Sequence, residues 1–328
     1  MATTLAEVTP APLGSWPTPL EAAPRLARAL GLGVTDLWLK RDDLTGLGGG
    51  GNKVRKLEWL CGAALARGAD TLITCGARQS NHARLTAAAG ARLGLDVVLV
   101  LAGSACDVGD GNVALDGLLG ASVVWAGDVA HEALDPIAMA VLQQLREEGA
   151  RPELIPYGCS SVLGARGYVA CGHELLVQAP DLVTVVTALG SGGTMAGLVD
   201  ALGPARVLGV DCGAIEQPAR TVGALVAGLA GTAPDPAALR IRLDHVGAGY
   251  AALTEPVMAA LTLSARTEGV LLDPIYTGRA LAGLMSAVAE NQIKAGERTV
   301  LLHSGGLPGL FGHADAVARS VEALREFS

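Results

Sequence analysis

The chain has 328 residues, a formal net charge of −8 at pH 7 and 3% aromatic residues. This length allows a large buried core and predicts about two domains of ordinary size. An acidic chain without a basic stripe is not expected to bind nucleic acid, and no apolar run reaches the length of a membrane span.

The first informative element is a helix predicted from Lys53 to about Gly68, directly after the glycine run 48–51 and Asn52. Asn52 suits the N-cap, because its side-chain oxygen can accept a hydrogen bond from a free N–H of the first turn. The helix dipole repels an ammonium there, which lowers the lysine pKa and favours the free amine of a Schiff-base lysine. A solvated lysine after a flexible loop is the alternative.

Two further turns also lead into predicted helices, and each of them follows a predicted strand. The apolar run 71–75 predicts a strand, and Ser80 is placed to cap a helix that runs to about Leu93. The N–H groups of that first turn can hold a carboxylate. The run 182–188 predicts a buried strand, followed by a glycine-rich turn at 190–194 that can hold an anion. Together with a lysine, these turns indicate a site for a phosphorylated aldehyde and a substrate carboxylate.

Apolar runs at 96–102, 121–125, 206–210 and 299–302 alternate with helical patterns such as 133–149 and 254–267. This rhythm predicts βαβ units and an α/β fold with mostly parallel sheets. The six cysteines contain no C-x-x-C pair, which favours reduced thiols in a cytoplasmic protein over disulfides or a zinc site. The first fifteen residues show no signal-peptide pattern.

Several segments match one known family in order along the chain. They are 39–46 (LKRDDLTG), 50–58 (GGNKVRKLE), 79–88 (QSNHARLTAA), 160–164 (SSVLG), 190–197 (GSGGTMAG), 271–278 (LLDPIYTG) and 303–306 (HSGG). The chain resembles the fold-type II pyridoxal-phosphate enzymes, and within them the group with D-cysteine desulfhydrase and 1-aminocyclopropane-1-carboxylate deaminase. The glycine turn at 190–197 matches neither the dinucleotide-binding nor the P-loop pattern well.

The resemblance implies a tryptophan-synthase-β-like architecture, with two open, twisted, mostly parallel sheets and the cofactor in a crevice between domains. We expect residues 1–56 and 166–328 to form a large cofactor-binding domain, and residues 57–165 a small domain that carries the Ser80 turn. The resemblance also implies a homodimer, although the sequence itself shows no interface pattern.

The resemblance assigns the cofactor, pyridoxal 5'-phosphate, to a set of residues. Lys53 carries it covalently and acts as the base at the substrate Cα, and Asn81 bonds its phenolic oxygen. Lys56 is placed to reach the phosphate, with an exposed lysine paired to Glu58 as the alternative. The phosphate itself is expected on Gly190, Ser191, Gly192, Gly193 and Thr194.

Substrate residues are implied in the same way. Ser80 and Asn81 are expected to bind the substrate carboxylate, while His82 either lines this pocket or is a structural histidine. Tyr276 is expected to stack on the cofactor ring, and Tyr250 to protonate the leaving group. Arg78 is either a salt-bridged surface residue or a ligand for an anionic side-chain group. Arg55 and Arg84 are expected to be ion-paired scaffolding.

Ser304 follows the last predicted strand, where the family places the partner of the cofactor ring nitrogen. A serine hydroxyl can bond a neutral nitrogen but cannot stabilise a protonated one as a carboxylate does. The deaminases of the family carry Glu after the tyrosine and Leu at this position, whereas this chain has Thr277 and Ser304. Both differences favour α,β-elimination over ring opening.

The expected activity is the elimination of D-cysteine, a small amino acid, to pyruvate, ammonia and hydrogen sulfide. L-cysteate sulfo-lyase is the first alternative, because Arg78 can attract a sulfonate. Cys159 stands where the family usually has glycine, and His313 where it usually has tyrosine, and either can reshape the pocket. Cyclopropane deamination is a further alternative, and a non-catalytic pyridoxal-phosphate-binding protein is the hypothesis of a different class.

Overall fold

The computed structural model describes residues 8–106 and 110–324, in which ten strands and twelve α-helices alternate. The strands are β1 (Leu20–Ala22), β2 (Leu37–Arg41), β3 (Thr71–Gly76), β4 (Asp96–Leu101), β5 (Ser122–Trp125), β6 (Pro152–Leu154), β7 (Leu182–Leu189), β8 (Val207–Asp211), β9 (Arg240–Arg242) and β10 (Arg298–His303). The helices are α1 (Pro24–Ala29), α2 (Lys53–Ala66), α3 (Asn81–Leu93), α4 (Gly111–Leu118), α5 (Leu134–Glu147), α6 (Val162–Gln178), α7 (Gly193–Leu202), α8 (Pro218–Ala230), α9 (Glu255–Glu268), α10 (Thr277–Ala289), α11 (Leu307–Phe311) and α12 (Ala314–Glu322).

The strands form two sheets. The larger has the order β1-β2-β10-β7-β8-β9, and within it β1 pairs antiparallel to β2 while the other pairs are parallel. The smaller has the order β5-β4-β3-β6 and is parallel throughout. The predicted α/β class with two mostly parallel sheets is therefore confirmed.

Both sheets are buried on two faces, which explains their uninterrupted apolar runs. In β10, Leu301 belongs to one apolar core, while its neighbours Val300 and Leu302 belong to another on the opposite face. In β3, Leu72 and Ile73 divide in the same way between two cores. Successive side chains of a strand point to opposite faces, so each sheet has a helical layer on either side.

The register of the strands brings the predicted turns to one edge. Leu301 pairs with Val186 of β7, so Ser304 and Gly190 both leave the larger sheet at its carboxyl edge. Ligands of open parallel sheets bind outside this edge.

The four strands of the smaller sheet lie within residues 57–165, but both limits of that range fall inside helices, α2 and α6, so the domain division remains a proposal. Across the described ranges, no helix combines the length and the apolar character that a membrane span requires.

Candidate active site

Lys53 is the first residue of α2 and faces the crevice between the two sheets. Its Nζ lies 3.1 Å from Asn52 Oδ1 and 5.7 Å from the centroid of the Tyr276 ring. Burial lowers the pKa of Lys53, and the nearby Arg84 guanidinium acts in the same direction. The predicted direction is confirmed, although burial is the main cause.

The predicted capping role of Asn52 is wrong. Asn52 stands at the N-cap, but its backbone is helical (φ −56°, ψ −22°) and its side chain makes no capping bond. A cap residue normally has an extended backbone that directs its side chain to the first-turn N–H groups. Instead, Asn52 Oδ1 accepts from Lys53 Nζ, and Nδ2 donates to Thr194 Oγ1 at 3.0 Å. Its backbone N–H donates to the Ser304 carbonyl at 2.9 Å, so Asn52 joins three segments of the site.

The glycine run before α2 is needed for close packing. Gly50 has φ +72°, and a Cβ there would lie 1.8 Å from the carbonyl oxygen of Asp43. Only glycine fits such a position without displacing the backbone. Arg84, which is fully buried, donates to the carbonyls of Gly48 and Gly50 and so holds the run from the side of α3. It supports this scaffold through hydrogen bonds. Among the described residues Arg84 forms no direct salt bridge, although the charge of the buried Asp116 acts on its guanidinium.

Arg55 is the ion-paired scaffold that the sequence predicts. Its guanidinium bonds Asp42 and Glu174, with an Nε–Oδ2 distance of 2.8 Å to Asp42. Asp42 is fully buried and also accepts a hydrogen bond from Thr18 Oγ1 at 2.7 Å. These contacts tie the start of α2 to α6 and to the turn that directly follows β2, which fixes the base of the lysine-bearing helix.

The Ser80 turn forms as predicted. Ser80 has an extended backbone, and its Oγ accepts from Ala83 N at 3.1 Å, which caps α3. The hydroxyl hydrogen of Ser80 remains available to a ligand. Arg78 lies in the same turn but does not belong to the lining of either pocket described below.

His82 has protein partners on both ring nitrogens. Nε2 lies 2.6 Å from Thr74 Oγ1, and Nδ1 lies 3.1 Å from the sulfur of Cys159. Burial and two nearby lysines lower the pKa of His82 to about 3, so the ring is neutral. It therefore contributes an apolar edge to the pocket and is not suited to bind an anion. Cys159 has a left-handed backbone conformation (φ 54°), which explains why the family usually has glycine at this position.

Donors converge on the glycine turn between β7 and α7. Ser160 Oγ lies 2.7 Å from Ser191 Oγ and accepts from Gly193 N and Lys56 Nζ at 3.2 Å each. A Cβ on Gly193 would lie 2.7 Å from Ser160 Oγ and 3.1 Å from Lys56 Nζ, so a larger residue would fill this space. Two hydroxyls, one backbone N–H and one lysine amine thus meet at the start of α7, where an anion is favoured.

Lys56 is buried, which excludes the exposed alternative. Its predicted partner Glu58 instead accepts from the N–H groups of Leu13 and Gly14 and from Trp16 Nε1. Burial, reinforced by the charge of Lys53, lowers the pKa of Lys56 well below its usual value. An anion bound beside it would restore the ammonium form.

Tyr250 and Tyr276 are in direct contact and both line the second pocket described below. Their hydroxyls are hydrogen-bonded, and their rings are edge to face with centroids 6.0 Å apart. Burial raises the pKa of both phenols, so both stay protonated at neutral pH. Asp273 positions Tyr276 by accepting from its backbone N at 2.9 Å and from Thr277 N at 2.8 Å.

Two adjoining pockets contain nearly all of these groups and share four residues, Lys53, Asn81, Ser191 and Tyr276. The first pocket, termed the anion pocket, is lined further by Asn52, Lys56, Ala188, Gly190, Gly192, Thr194, Met195, Ser304 and Gly305. The second, termed the carboxylate pocket, is lined further by Ala77, Ser80, His82, Tyr157, Gly158, Ala214 and Tyr250.

Sequence reasoning missed three contributors to this site. Asn52 was assigned to a cap, Ser160 was noted only as part of the SSVLG match, and Asp273 only as part of LLDPIYTG. The pairing of Ser160 with Gly193 joins residues 33 positions apart, which no local pattern indicates. An Asp followed at i+4 by Thr before a helical run is the local signal that identifies Asp273 as a helix-start residue.

Comparison of the sequence with known proteins identifies a family. The family model described as "Pyridoxal-phosphate dependent enzyme" matches residues 12–305. The chain is 40% identical to a D-cysteine desulfhydrase of Klebsiella pneumoniae, over 90% of this chain and 94% of that protein. It is 39% identical to a putative 1-aminocyclopropane-1-carboxylate deaminase of Pyrococcus abyssi, over 92% of each.

Solved structures give the same result for the fold. A crystal structure of a 1-aminocyclopropane-1-carboxylate deaminase homologue superposes with a TM-score of 0.87 at 35% identity, covering 96% of this chain and 97% of that one. Threonine deaminase isoform 2 of Solanum lycopersicum shares only the fold, with a TM-score of 0.63 at 19% identity over 88% of this chain and 79% of that one. The chain therefore belongs to the pyridoxal-phosphate dependent enzymes of fold type II, in the group that includes D-cysteine desulfhydrases and 1-aminocyclopropane-1-carboxylate deaminases.

Proposed function

We propose that this enzyme eliminates hydrogen sulfide from D-cysteine and yields pyruvate and ammonia. The observation that carries the proposal is the pair of hydroxyls of Tyr250 and Tyr276, which stands in the same pocket as Lys53 and Ser80. An α,β-elimination needs a base at Cα and an acid at the leaving group. This pocket supplies a candidate for each.

The residues of the anion pocket fit pyridoxal phosphate. Lys53 offers a buried amine of lowered pKa for covalent attachment. Lys56 and Ser191, which line this pocket and contact Ser160 behind it, suit the phosphate. Ser304, 8% exposed, lies in the same pocket at the end of β10 and offers a neutral hydroxyl to the ring nitrogen. When bound, the cofactor withdraws electrons from the substrate Cα.

The carboxylate pocket suits an amino acid. Ser80 and the free N–H groups at the start of α3 are placed to bind the substrate carboxylate. This orientation leaves the Cα hydrogen to Lys53, whose buried surroundings favour the neutral, basic amine. Removal of that proton is the step that starts elimination.

The tyrosine pair suits a sulfur leaving group. Departing hydrosulfide carries negative charge, which a phenol donor stabilises. Because burial raises both phenol pKa values, Tyr250 remains a donor across the working pH range. Tyr276 orients it through the hydroxyl–hydroxyl hydrogen bond.

A second candidate is cyclopropane deamination, which the names of several relatives favour. The residues at two positions argue against it here. Thr277 Oγ1 is occupied by Asp273, donating to its carboxylate at 2.7 Å and accepting from its N–H at 2.8 Å, so it serves the start of α10. Thr277 stands where the deaminases of the family carry Glu, and neither Thr277 nor Ser304 offers a carboxylate to the ring nitrogen.

The proposal is tested by supplying holoenzyme with D-cysteine, L-cysteine or L-cysteate and assaying sulfide, sulfite and pyruvate. We expect sulfide and pyruvate in equal amounts from D-cysteine alone. Sulfite from L-cysteate, with no product from D-cysteine, would contradict the proposal and assign Arg78 to the substrate. Arg78→Ala would then abolish sulfite release, whereas a scaffold arginine would leave it unchanged.

Tyr250→Phe is expected to lower kcat for D-cysteine by about 100-fold, which is the size of a lost general acid. KM should change less than about threefold, because carboxylate binding by Ser80 is untouched. Steady-state kinetics of the variant provide the test. β-Chloro-D-alanine serves as the matched substrate, since chloride leaves without a proton, and its kcat should fall far less.

Lys56→Met is expected to weaken cofactor binding by about 10- to 100-fold, through loss of one charge-assisted contact to the phosphate. Met keeps most of the side-chain volume, so the buried space remains filled. Equilibrium titration of the apoenzyme with pyridoxal phosphate measures the change. Lys294→Met, at an exposed lysine, is the control and should bind like wild type. An equal loss of cofactor affinity in both variants would contradict the assignment of Lys56 to the phosphate site.

A further inference from the structure

Asn112 is a fully buried amide on the first turn of α4 that the proposed function leaves unexplained. Its Nδ2 donates to the Gln79 carbonyl at 3.0 Å and to Asn81 Oδ1 at 3.1 Å. Its Oδ1 accepts from Arg84 Nε at 3.1 Å. The side chain thus lies between the arginine that holds the glycine run and the asparagine that lines both pockets.

These contacts allow only one orientation of the Asn112 amide. A guanidinium can only donate hydrogen bonds, and a backbone carbonyl can only accept them. Exchanging the two ends of the amide would set N–H against Arg84 Nε and oxygen against the Gln79 carbonyl. Both pairs would be repulsive, and at a fully buried site neither could be relieved by water.

The orientation of Asn112 in turn fixes that of Asn81. Asn81 Oδ1 accepts from Asn112 Nδ2 and from Arg84 Nη2, the latter at 3.3 Å. Both partners are donors, so the oxygen of Asn81 must face them. The edge of the Asn81 amide that remains for a ligand is therefore the Nδ2 donor, and the matching ligand atom is an acceptor.

We infer that Asn112 is a positioning residue that holds the Asn81 amide with its N–H toward the cofactor. This inference rests on the pyridoxal-phosphate chemistry of the proposed function, but not on the choice of substrate. The acceptor would be the phenolic oxygen of the cofactor. A donor to that oxygen favours its ionised form and lowers the pH at which the visible absorbance of the bound cofactor changes.

Asn112→Asp tests this inference with little change of shape. It replaces the Nδ2 donor by an oxygen that repels Asn81 Oδ1 and the Gln79 carbonyl. We expect the midpoint pH of the absorbance change to rise by about one pH unit, and kcat/KM for the working substrate to fall about tenfold. Asn112→Leu removes the same donor without adding charge, and should raise the midpoint by a smaller amount.

Two further variants separate positioning from general loosening. In an Asn81→Ala background, Asn112→Asp should cause no additional rise, since the amide through which it acts is gone. Asp110→Ala removes one side-chain contact between α4 and Gln79 but leaves Asn112 in place, and should keep the wild-type midpoint.

The inference is overturned if both Asn112 variants keep the wild-type midpoint, or if the rise persists undiminished without Asn81. Absorbance titration needs no substrate, so these outcomes do not depend on which amino acid is turned over. An enzyme that fails to release sulfide but shows the predicted shifts would contradict the proposed reaction and still support the role of Asn112.

Discussion

Replacing Lys53 by alanine is expected to reduce kcat for D-cysteine elimination at least about 1000-fold, because the variant loses both the covalent anchor and the base at Cα. Lys53 Nζ lies 5.7 Å from the centroid of the Tyr276 ring, and Lys53 lines both pockets, whereas Lys56 lines only the anion pocket. The visible absorbance that arises from covalent attachment should also disappear. Pyruvate release and an absorbance spectrum measure the two effects on the same sample.

Lys294→Ala is the matched control, since this exposed lysine contributes nothing to the site. It should keep full activity and the wild-type spectrum. Residual elimination within about tenfold of wild type in Lys53→Ala would contradict the assignment of Lys53. A wild-type protein that binds the cofactor but turns over none of the tested amino acids would instead indicate a non-catalytic binding protein.

Replacing Arg55 by methionine is expected to have the largest effect on stability, about 3–5 kcal/mol of unfolding free energy at pH 7. Arg55 is the ion-pair partner of Asp42, which is fully buried, and methionine leaves that carboxylate uncompensated. Burial raises the pKa of Asp42, but the charge and hydrogen bonds of Arg55, together with hydrogen bonds from Tyr168 and Thr18, more than offset this and lower it. Urea unfolding of the apoenzyme at several pH values measures the loss.

The sign of the pH dependence distinguishes this cause from lost packing. In wild type the pKa of Asp42 is lowered, so the ionised carboxylate stabilises the fold at neutral pH. This stabilisation is lost only as the pH falls below the pKa of an ordinary carboxyl group. In Arg55→Met the pKa would be raised, and the penalty should shrink as the pH falls from 7 toward 5. A loss independent of pH would contradict this account. The control is Arg67→Met, whose pair with Glu153 is half exposed, and which should cost less than about 1 kcal/mol.

The sequence predicts the long, two-sided strands well because their apolar runs come from burial on both faces. Strand β7 and the glycine turn after it follow directly from the pattern at 182–194. Strand β2 is missed because it contains Lys40, which a local pattern assigns to the surface. In the fold, Lys40 is fully buried, and its ammonium bonds the Thr18 carbonyl, Glu174 and Gln178.

The same limit applies to the site. Ser80 could be predicted because its capping bond reaches only three residues along the chain. The roles of Asn52 and Asn112 depend on Thr194 and Arg84, which are distant in sequence, and local preference even suggests a different role for Asn52. Residues whose function depends on the polarity of a tertiary hydrogen-bond network cannot be identified from spacing alone.

A competition assay tests most directly whether the enzyme catalyses elimination rather than ring opening. Holoenzyme is given D-cysteine and 1-aminocyclopropane-1-carboxylate at equal concentration. The products, pyruvate and 2-oxobutanoate, are then separated and quantified. We predict pyruvate in at least about 100-fold excess, a difference of nearly 3 kcal/mol between the two transition states. An excess of 2-oxobutanoate would contradict the reading of Ser304 and Thr277 and would identify the enzyme as a deaminase of the cyclopropane.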